Sequence, residues 1–214
     1  MEVIKMIIKY YGHSSFLIET NGFKILTDPY DPSMGYPVKF PEVDIITVSH
    51  EHFDHNAVKY VPSYKKVLRG VINEEIDGIK FESIEAYHDE KNGLERGLIH
   101  LFKITSENIT LIHFGDLGDK RFKEKQKNFI KGTNVFFIPV GSVYTIGPND
   151  AKEIISEFKP NIAIPMHYRL KGSTLNILPL EEFTKGIHFK TLKELNINKE
   201  NLPQGEIIVL EPQF

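Results

Sequence analysis

Short apolar or β-branched runs separated by turn signals dominate the first half of the chain. Lys5 to Tyr11, Ser15 to Glu19 and Phe23 to Thr27 read as strands, the last two joined by the hairpin signal Thr20-Asn21-Gly22. Asp28-Pro29 ends the third, and a loop rich in proline, glycine and tyrosine covers Tyr30 to Pro41. Further strands are predicted at Asp44 to Val48, Lys66 to Leu68, Ile79 to Ala86, Gly97 to Ile104 and Ile109 to Phe114. From there the periods alternate. A charged helix spans Lys120 to Lys131, and Val135 to Val140 is a strand. A helix over Ala151 to Phe158, capped by Pro148-Asn149-Asp150, carries Ile154, Ile155 and Phe158 at helical spacing. A strand at Ile162 to Pro165, a short helix at Leu180 to Lys185 and a strand at Glu206 to Leu210 complete the pattern. Strands early and alternation later predict an α/β (α+β) fold of sheets flanked by helices, not a barrel or a bundle. No repeat or linker divides residues 1–214, so one domain is expected.

Composition narrows the chemistry. No cysteine is present, which removes disulfides and thiolate ligands together, so any transition metal must be held by imidazole and carboxylate. A net charge of -3 offers no strong basic field to nucleic acid. No apolar run approaches the roughly eighteen residues of a membrane-spanning helix. Met1 to Lys9 is basic and apolar but too short for a signal peptide and lacks a cleavage site, which makes a cytoplasmic location the expectation.

The most informative stretch is Ser49-His50-Glu51-His52-Phe53-Asp54-His55, directly after an apolar strand. Side chains at i and i+2 of an extended segment point the same way, so His50 and His52 can converge on one ion. Asp54 and His55, where the chain turns, can face a second. Such donors suit zinc, iron, manganese or nickel. Three other residues stand where an apolar strand stops: His88 after Ile79–Tyr87, Asp116 after Ile109–Gly115 and His167 after Ile162–Met166. If those strand ends share one edge, seven ligands gather in one cleft. Burying that many titratable groups without a cation would cost several kcal/mol per ion, whereas bound structural zinc contributes on the order of 10 kcal/mol.

The string His50-Glu-His-Phe-Asp-His55 resembles the HxHxDH motif of the metallo-β-lactamase superfamily. The likeness continues through Gly12-His-Ser-Ser-Phe-Leu-Ile-Glu19, Leu26-Thr-Asp-Pro29, Ala86-Tyr-His-Asp89, His113-Phe-Gly-Asp-Leu-Gly118, Pro139-Val-Gly141 and Ile164-Pro-Met-His-Tyr168 to a closing Leu-Glu-Pro. It is similar to the branch of small prokaryotic hydrolases that includes the L-ascorbate-6-phosphate lactonases, and to the metal site of N-acyl-phosphatidylethanolamine phospholipase D. The resemblance implies a four-layer αββα sandwich with the metals at one edge. It would assign His50, His52 and His88 to a first ion and Asp54, His55 and His167 to a second, with Asp116 bridging. The implied cofactors are two divalent ions, zinc first, with manganese, nickel or iron as alternatives.

Around this set, Asp28 is expected to orient the His50–His55 loop, and loss of such a partner lowers metal affinity or activity about 10–100-fold. His13 is a candidate to reach the metals or the substrate. His113 is out of strand phase with Asp116, and His100 and His188 carry no signal. The expected reaction is attack of a dinuclear-metal-activated hydroxide on a lactone or phosphodiester. Asp54 and Asp116 would hold that hydroxide, and Tyr144, Tyr168 or His13 would protonate the leaving group. The expected partner is a small-molecule substrate, without membrane or nucleic acid, and a homo-oligomer is left open. The competing readings are a phosphodiesterase or nuclease of the same fold, and a metal-binding sensor or scaffold without turnover. The loops at Tyr30–Pro41, Ser142–Asn149 and Arg169–Leu180 are expected to wall the cleft.

Overall fold

A computed structural model describes residues 5–214, so the first four residues of the Met1 to Lys9 stretch lie outside the described residues. In chain order the strands are β1 (Met6–Gly12), β2 (Ser15–Thr20), β3 (Phe23–Thr27), β4 (Ile45–Val48), β5 (Lys66–Arg69), β6 (Asn73–Ile76), β7 (Ile79–Tyr87), β8 (Leu98–Ser106) and β9 (Ile109–His113). There follow α1 (Glu124–Ile130), β10 (Val135–Pro139), α2 (Pro148–Phe158), β11 (Ile162–Met166), α3 (Leu180–Thr184), β12 (Lys190–Leu192), β13 (Leu195–Ile197) and β14 (Glu206–Leu210). They form a six-stranded sheet, β13-β1-β2-β3-β4-β5, and an eight-stranded one, β12-β14-β11-β10-β9-β8-β7-β6.

The main core lies between the sheets. Phe16 on β2 stacks on Phe137 on β10 at 4.3 Å between ring centroids. The neighbouring Phe136 points the other way and packs against Phe158 of α2. Strands buried on both faces need apolar residues on both, which is why β10 and β11 read as continuous apolar runs and not as alternations. The same rule splits the first sheet. Phe16, Ile18, Ile25 and Ile45 face the main core, while Leu17, Leu26, Ile46 and Val48 form a second cluster on the outer face.

The mixed α/β two-sheet architecture is therefore present, with a difference in its outermost layer. The outer face of the first sheet is covered by the segment from Tyr30 to Val43, which buries Tyr30, Met34, Tyr36 and Phe40 and includes a short 3-10 turn at Pro32–Met34, and by a second such turn at Val58–Tyr60. The Tyr30–Pro41 loop thus serves the core and does not line the metal-facing cavity. Two local expectations shift. Pro148 is the first residue of α2, behind Gly147 as N-cap, because proline's missing N–H costs nothing there. The helix expected from Lys120 begins at Glu124, where the Gln126 side chain accepts from Lys123 N at 2.8 Å. No helix among the described residues is long and apolar enough to cross a membrane.

Candidate metal centre

Direction within the sheets explains how distant residues meet. In the first sheet β1, β3 and β4 run the same way, since β2 is antiparallel to β1 and β3 while β4 is parallel to β3. In the second sheet β7, β9, β10 and β11 likewise share a direction. The loops that leave their C-terminal ends carry His13, Asp28, His50 to His55, His88, Asp116 and His167.

All seven candidate ligands come together. In a first group, His50 Nε2 lies 3.0 Å and His88 Nε2 3.2 Å from His52 Nδ1. In a second group, His13, Asp54, His55 and His167 each bring a donor atom within 4.8 Å of the others. Asp116 stands between them: Oδ1 is 3.0 Å from His55 Nε2, and Oδ2 is 3.3 Å from His167 Nε2, 3.6 Å from His88 Nε2 and 3.9 Å from His50 Nε2. His13, which the sequence left between metal and substrate, belongs spatially to the second group.

Several of these contacts are close without being aligned as hydrogen bonds. Asp116 Oδ1, both ring nitrogens of His167, and Nδ1 of His13 and His88 are buried without a partner. Orphaned buried polar atoms are costly, and a cluster of imidazole and carboxylate donors at such spacing fits divalent ions.

Electrostatics within the cluster divides by neighbour. Burial pulls the His55 imidazole towards neutrality, but the Asp116 and Asp54 carboxylates outweigh it and raise its pKa well above the ordinary value. Burial and the adjacent His55 lower His50 to about 2. Burial would raise Asp116, yet His167 and His55 hold it well below the usual carboxylate range.

Asp28 supports the loop from below. Its Oδ1 accepts from Ser49 N at 2.8 Å, and its Oδ2 accepts from the Ser49 hydroxyl at 2.5 Å and from His55 Nδ1 at 2.8 Å. With its hydroxyl proton given to Asp28, Ser49 Oγ is left to accept from His50 Nδ1 at 3.0 Å, which leaves His50 Nε2 as a bare lone pair facing the cluster. His113 is buried behind this layer: its Nδ1 accepts from Gly115 N at 3.1 Å and its Nε2 donates to Ser14 O at 2.8 Å. His100 bonds the Ser49 carbonyl, and His188 is exposed away from the cluster.

Close backbone approach sets the loops. A Cβ on Gly141 would fall 2.0 Å from the His167 carbonyl oxygen, and one on Gly118 would fall 2.2 Å from the His88 carbonyl. His13, Asp28 and His167 all adopt positive φ, at 54°, 37° and 52°. Left-handed backbone in non-glycine residues costs about 1–3 kcal/mol each and survives only where surroundings impose it.

A cavity of about 490 Å³ opens over the cluster, lined by His52, Asp54, His88 and Asp116 with Phe53, Arg96, Tyr144 and Leu175. It shares His88, Arg96 and Tyr144 with a second cavity of about 650 Å³ that reaches Ser142 to Asp150. The Ser142–Asn149 and Arg169–Leu180 loops therefore contribute walls. Tyr168 does not: it is buried beside Tyr10, where packing of its ring against the core keeps its hydroxyl from the cavity, so it is withdrawn as a leaving-group donor. Sequence reading missed Arg96, whose guanidinium lies 5.6 Å from the Tyr144 ring centroid. It also gave no role to Asp89, which accepts from the backbone N–H of Lys91, Gly93, Glu95 and Arg96 and so holds the arginine in place.

A family model described as the beta-lactamase superfamily domain matches residues 7–167. A UPF0173 metal-dependent hydrolase of Pyrobaculum islandicum is 28% identical over 195 residues, covering 76% of this chain and 84% of that protein. A UPF0173 protein of Pyrococcus abyssi is 31% identical over 188 residues, covering 78% and 85%. Among solved structures, a chain from Thermotoga maritima, classed by its name with the Zn-dependent hydrolases of the metallo-beta-lactamase superfamily, superposes with a TM-score of 0.80 at 29% identity, covering 97% of this chain and all of that one. A metallo hydrolase from Ignicoccus hospitalis, at TM-score 0.68 and 19% identity, shares the fold.

Proposed function

The chain belongs to the metallo-β-lactamase superfamily, and from that premise we propose that it is a metal-dependent hydrolase acting on a lactone or phosphodiester bond of a small anionic molecule. The observation that carries the reading is the convergence of seven imidazole and carboxylate side chains, several with orphaned donor atoms, beneath one cavity. His50, His52 and His88 would hold a first divalent ion, Asp54, His55 and His167 a second, and Asp116 would bridge them. Bound there, such ions would supply Lewis acidity, lowering the pKa of water towards about 7.

The chain's own residues do the rest. Asp54 and Asp116 orient the attacking water, and Asp54 accepts its proton. Phe53 and Leu175 supply the apolar part of the cavity wall. Arg96 is the cationic side chain of that lining, and it would bind an anionic group of the substrate. Tyr144, whose ring lies against the guanidinium and lines the cavity, would donate to the leaving group.

The test is a panel of chromogenic lactones and phosphodiesters, each paired with a neutral analogue, assayed with zinc, manganese and nickel. Turnover that chelator abolishes, that prefers the anionic member of each pair and that is lost in His50→Ala and Asp116→Ala is the expected result. Stoichiometric metal without turnover on any class would favour a sensor or scaffold, and full activity in either variant would overturn the ligand assignment.

A further inference from the structure

His13 obeys the same placement rule as the candidate ligands: it follows directly on β1, whose C-terminal end points where those of β3 and β4 point. It is fully buried in a left-handed turn, and its carbonyl is clamped by the Tyr10 hydroxyl at 2.9 Å and by His167 N at 2.8 Å. The clamp holds the backbone at this turn, and the ring's Nε2 points into the second group. There it lies 3.2 Å from Asp54 Oδ2 and 3.2 Å from His55 Nε2, which are themselves 3.7 Å apart. The point equidistant from three atoms so spaced is about 2.0 Å from each, the length of a zinc bond to imidazole or carboxylate.

We propose that His13 is a direct protein ligand of the second ion, which makes the two metal positions chemically unequal. This rests on the two-metal reading above. The first position then has four protein donors, His50, His52, His88 and the bridging Asp116. The second has five: His13, Asp54, His55, His167 and Asp116. Three imidazoles and one carboxylate suit tetrahedral zinc, whereas five donors leave that geometry behind and select an ion that accepts five or six ligands, such as manganese, iron or nickel. A hydrogen bond from His13 to Asp54 is the rival role, and the two differ in what glutamine can replace.

The full chain, stripped of metal and titrated with cobalt and with manganese in competition with a chromogenic chelator, separates them in the wild type, His13→Ala and His13→Gln. The wild type should take up two ions. Both variants should keep one with unchanged affinity and bind the other at least tenfold more weakly, with stronger visible bands from the second cobalt equivalent as its coordination number falls. Recovery of wild-type affinity by His13→Gln, which keeps an N–H donor to Asp54, would assign a hydrogen-bonding role and overturn the proposal. So would two unperturbed equivalents in His13→Ala, or a single equivalent in the wild type. These readouts involve no turnover, so failure to find a substrate would count against the hydrolase reading and leave the ligand assignment standing.

Discussion

Replacing Asp28 by asparagine changes one atom at a position that is 1% exposed. The carboxylate receives Ser49 N–H on Oδ1 and both the Ser49 hydroxyl and His55 Nδ1–H on Oδ2. An asparagine offers a single oxygen. Whichever way the amide is turned, either Ser49 N–H or His55 Nδ1–H meets another N–H. Hydrogen bonds to a charged group contribute about 1.5–3 kcal/mol each. Losing one of them and weakening another by removal of the charge gives a destabilisation of about 2–4 kcal/mol in the metal-free chain. Relief by moving the His55 proton to Nε2 would put it on the atom aimed at the second ion, so metal affinity should fall about 10–100-fold. Urea unfolding followed by circular dichroism, with chelator competition for the metal, measures both. The pH dependence has a definite sign. Burial works to raise the Asp28 pKa, but His113 and His55 prevail and hold it below the ordinary carboxylate value. The stabilisation it brings is therefore complete above the unfolded carboxylate pKa of about 3.9 and is lost as pH falls through the lower folded value. The gap between wild type and variant should be full at pH 7 and close in acid. Equal stability within about 0.5 kcal/mol and equal metal affinity at pH 7 would refute the reasoning.

Two further substitutions probe the loops. Gly141→Ala drives a Cβ into the His167 carbonyl, a clash between backbone segments that should cost about 1–3 kcal/mol and lower Tm by about 2–12 °C, with weaker binding of one metal equivalent; a melting curve that superposes on the wild type would reject it. Asp89→Asn removes acceptors from a carboxylate that binds four backbone N–H groups, so hydrogen exchange across Lys91–Arg96 should accelerate at least tenfold. Burial raises the Asp89 pKa but its backbone donors lower it further, so the protection it gives should persist above about pH 4 and fade in acid; exchange as slow as in the wild type at pH 7 would count against the anchor.

Legibility in the sequence followed how local each cause was. β3 and β14 have the predicted bounds because apolar runs bracketed by turn residues state their own limits. β6, β12 and β13 were missed for the opposite reason. Asn73-Glu-Glu-Ile76 is mostly polar, β12 and β13 have three residues each, and all become strands only because a neighbour supplies a partner, as β1 does for β13 through Met6 and Ile197. The outer cover of the first sheet was invisible as a layer, since aromatic residues in a proline-rich loop have no period to announce where they pack.

For the candidate centre, the residue types and their positions after strands were written in the chain, as was the exclusion of thiolate by the absence of cysteine. Their meeting was not. It required β1, β3 and β4 in one sheet and β7, β9, β10 and β11 in the other to share directions, a property of strand pairing across long sequence separations. The same pairing placed His13 against Asp54 and His55, set Asp28 under the loop and turned Tyr168 into the core. Side-chain chemistry is local and can be read along the chain, but a coordination cluster is a relation among distances, and only the packed sheets supply those.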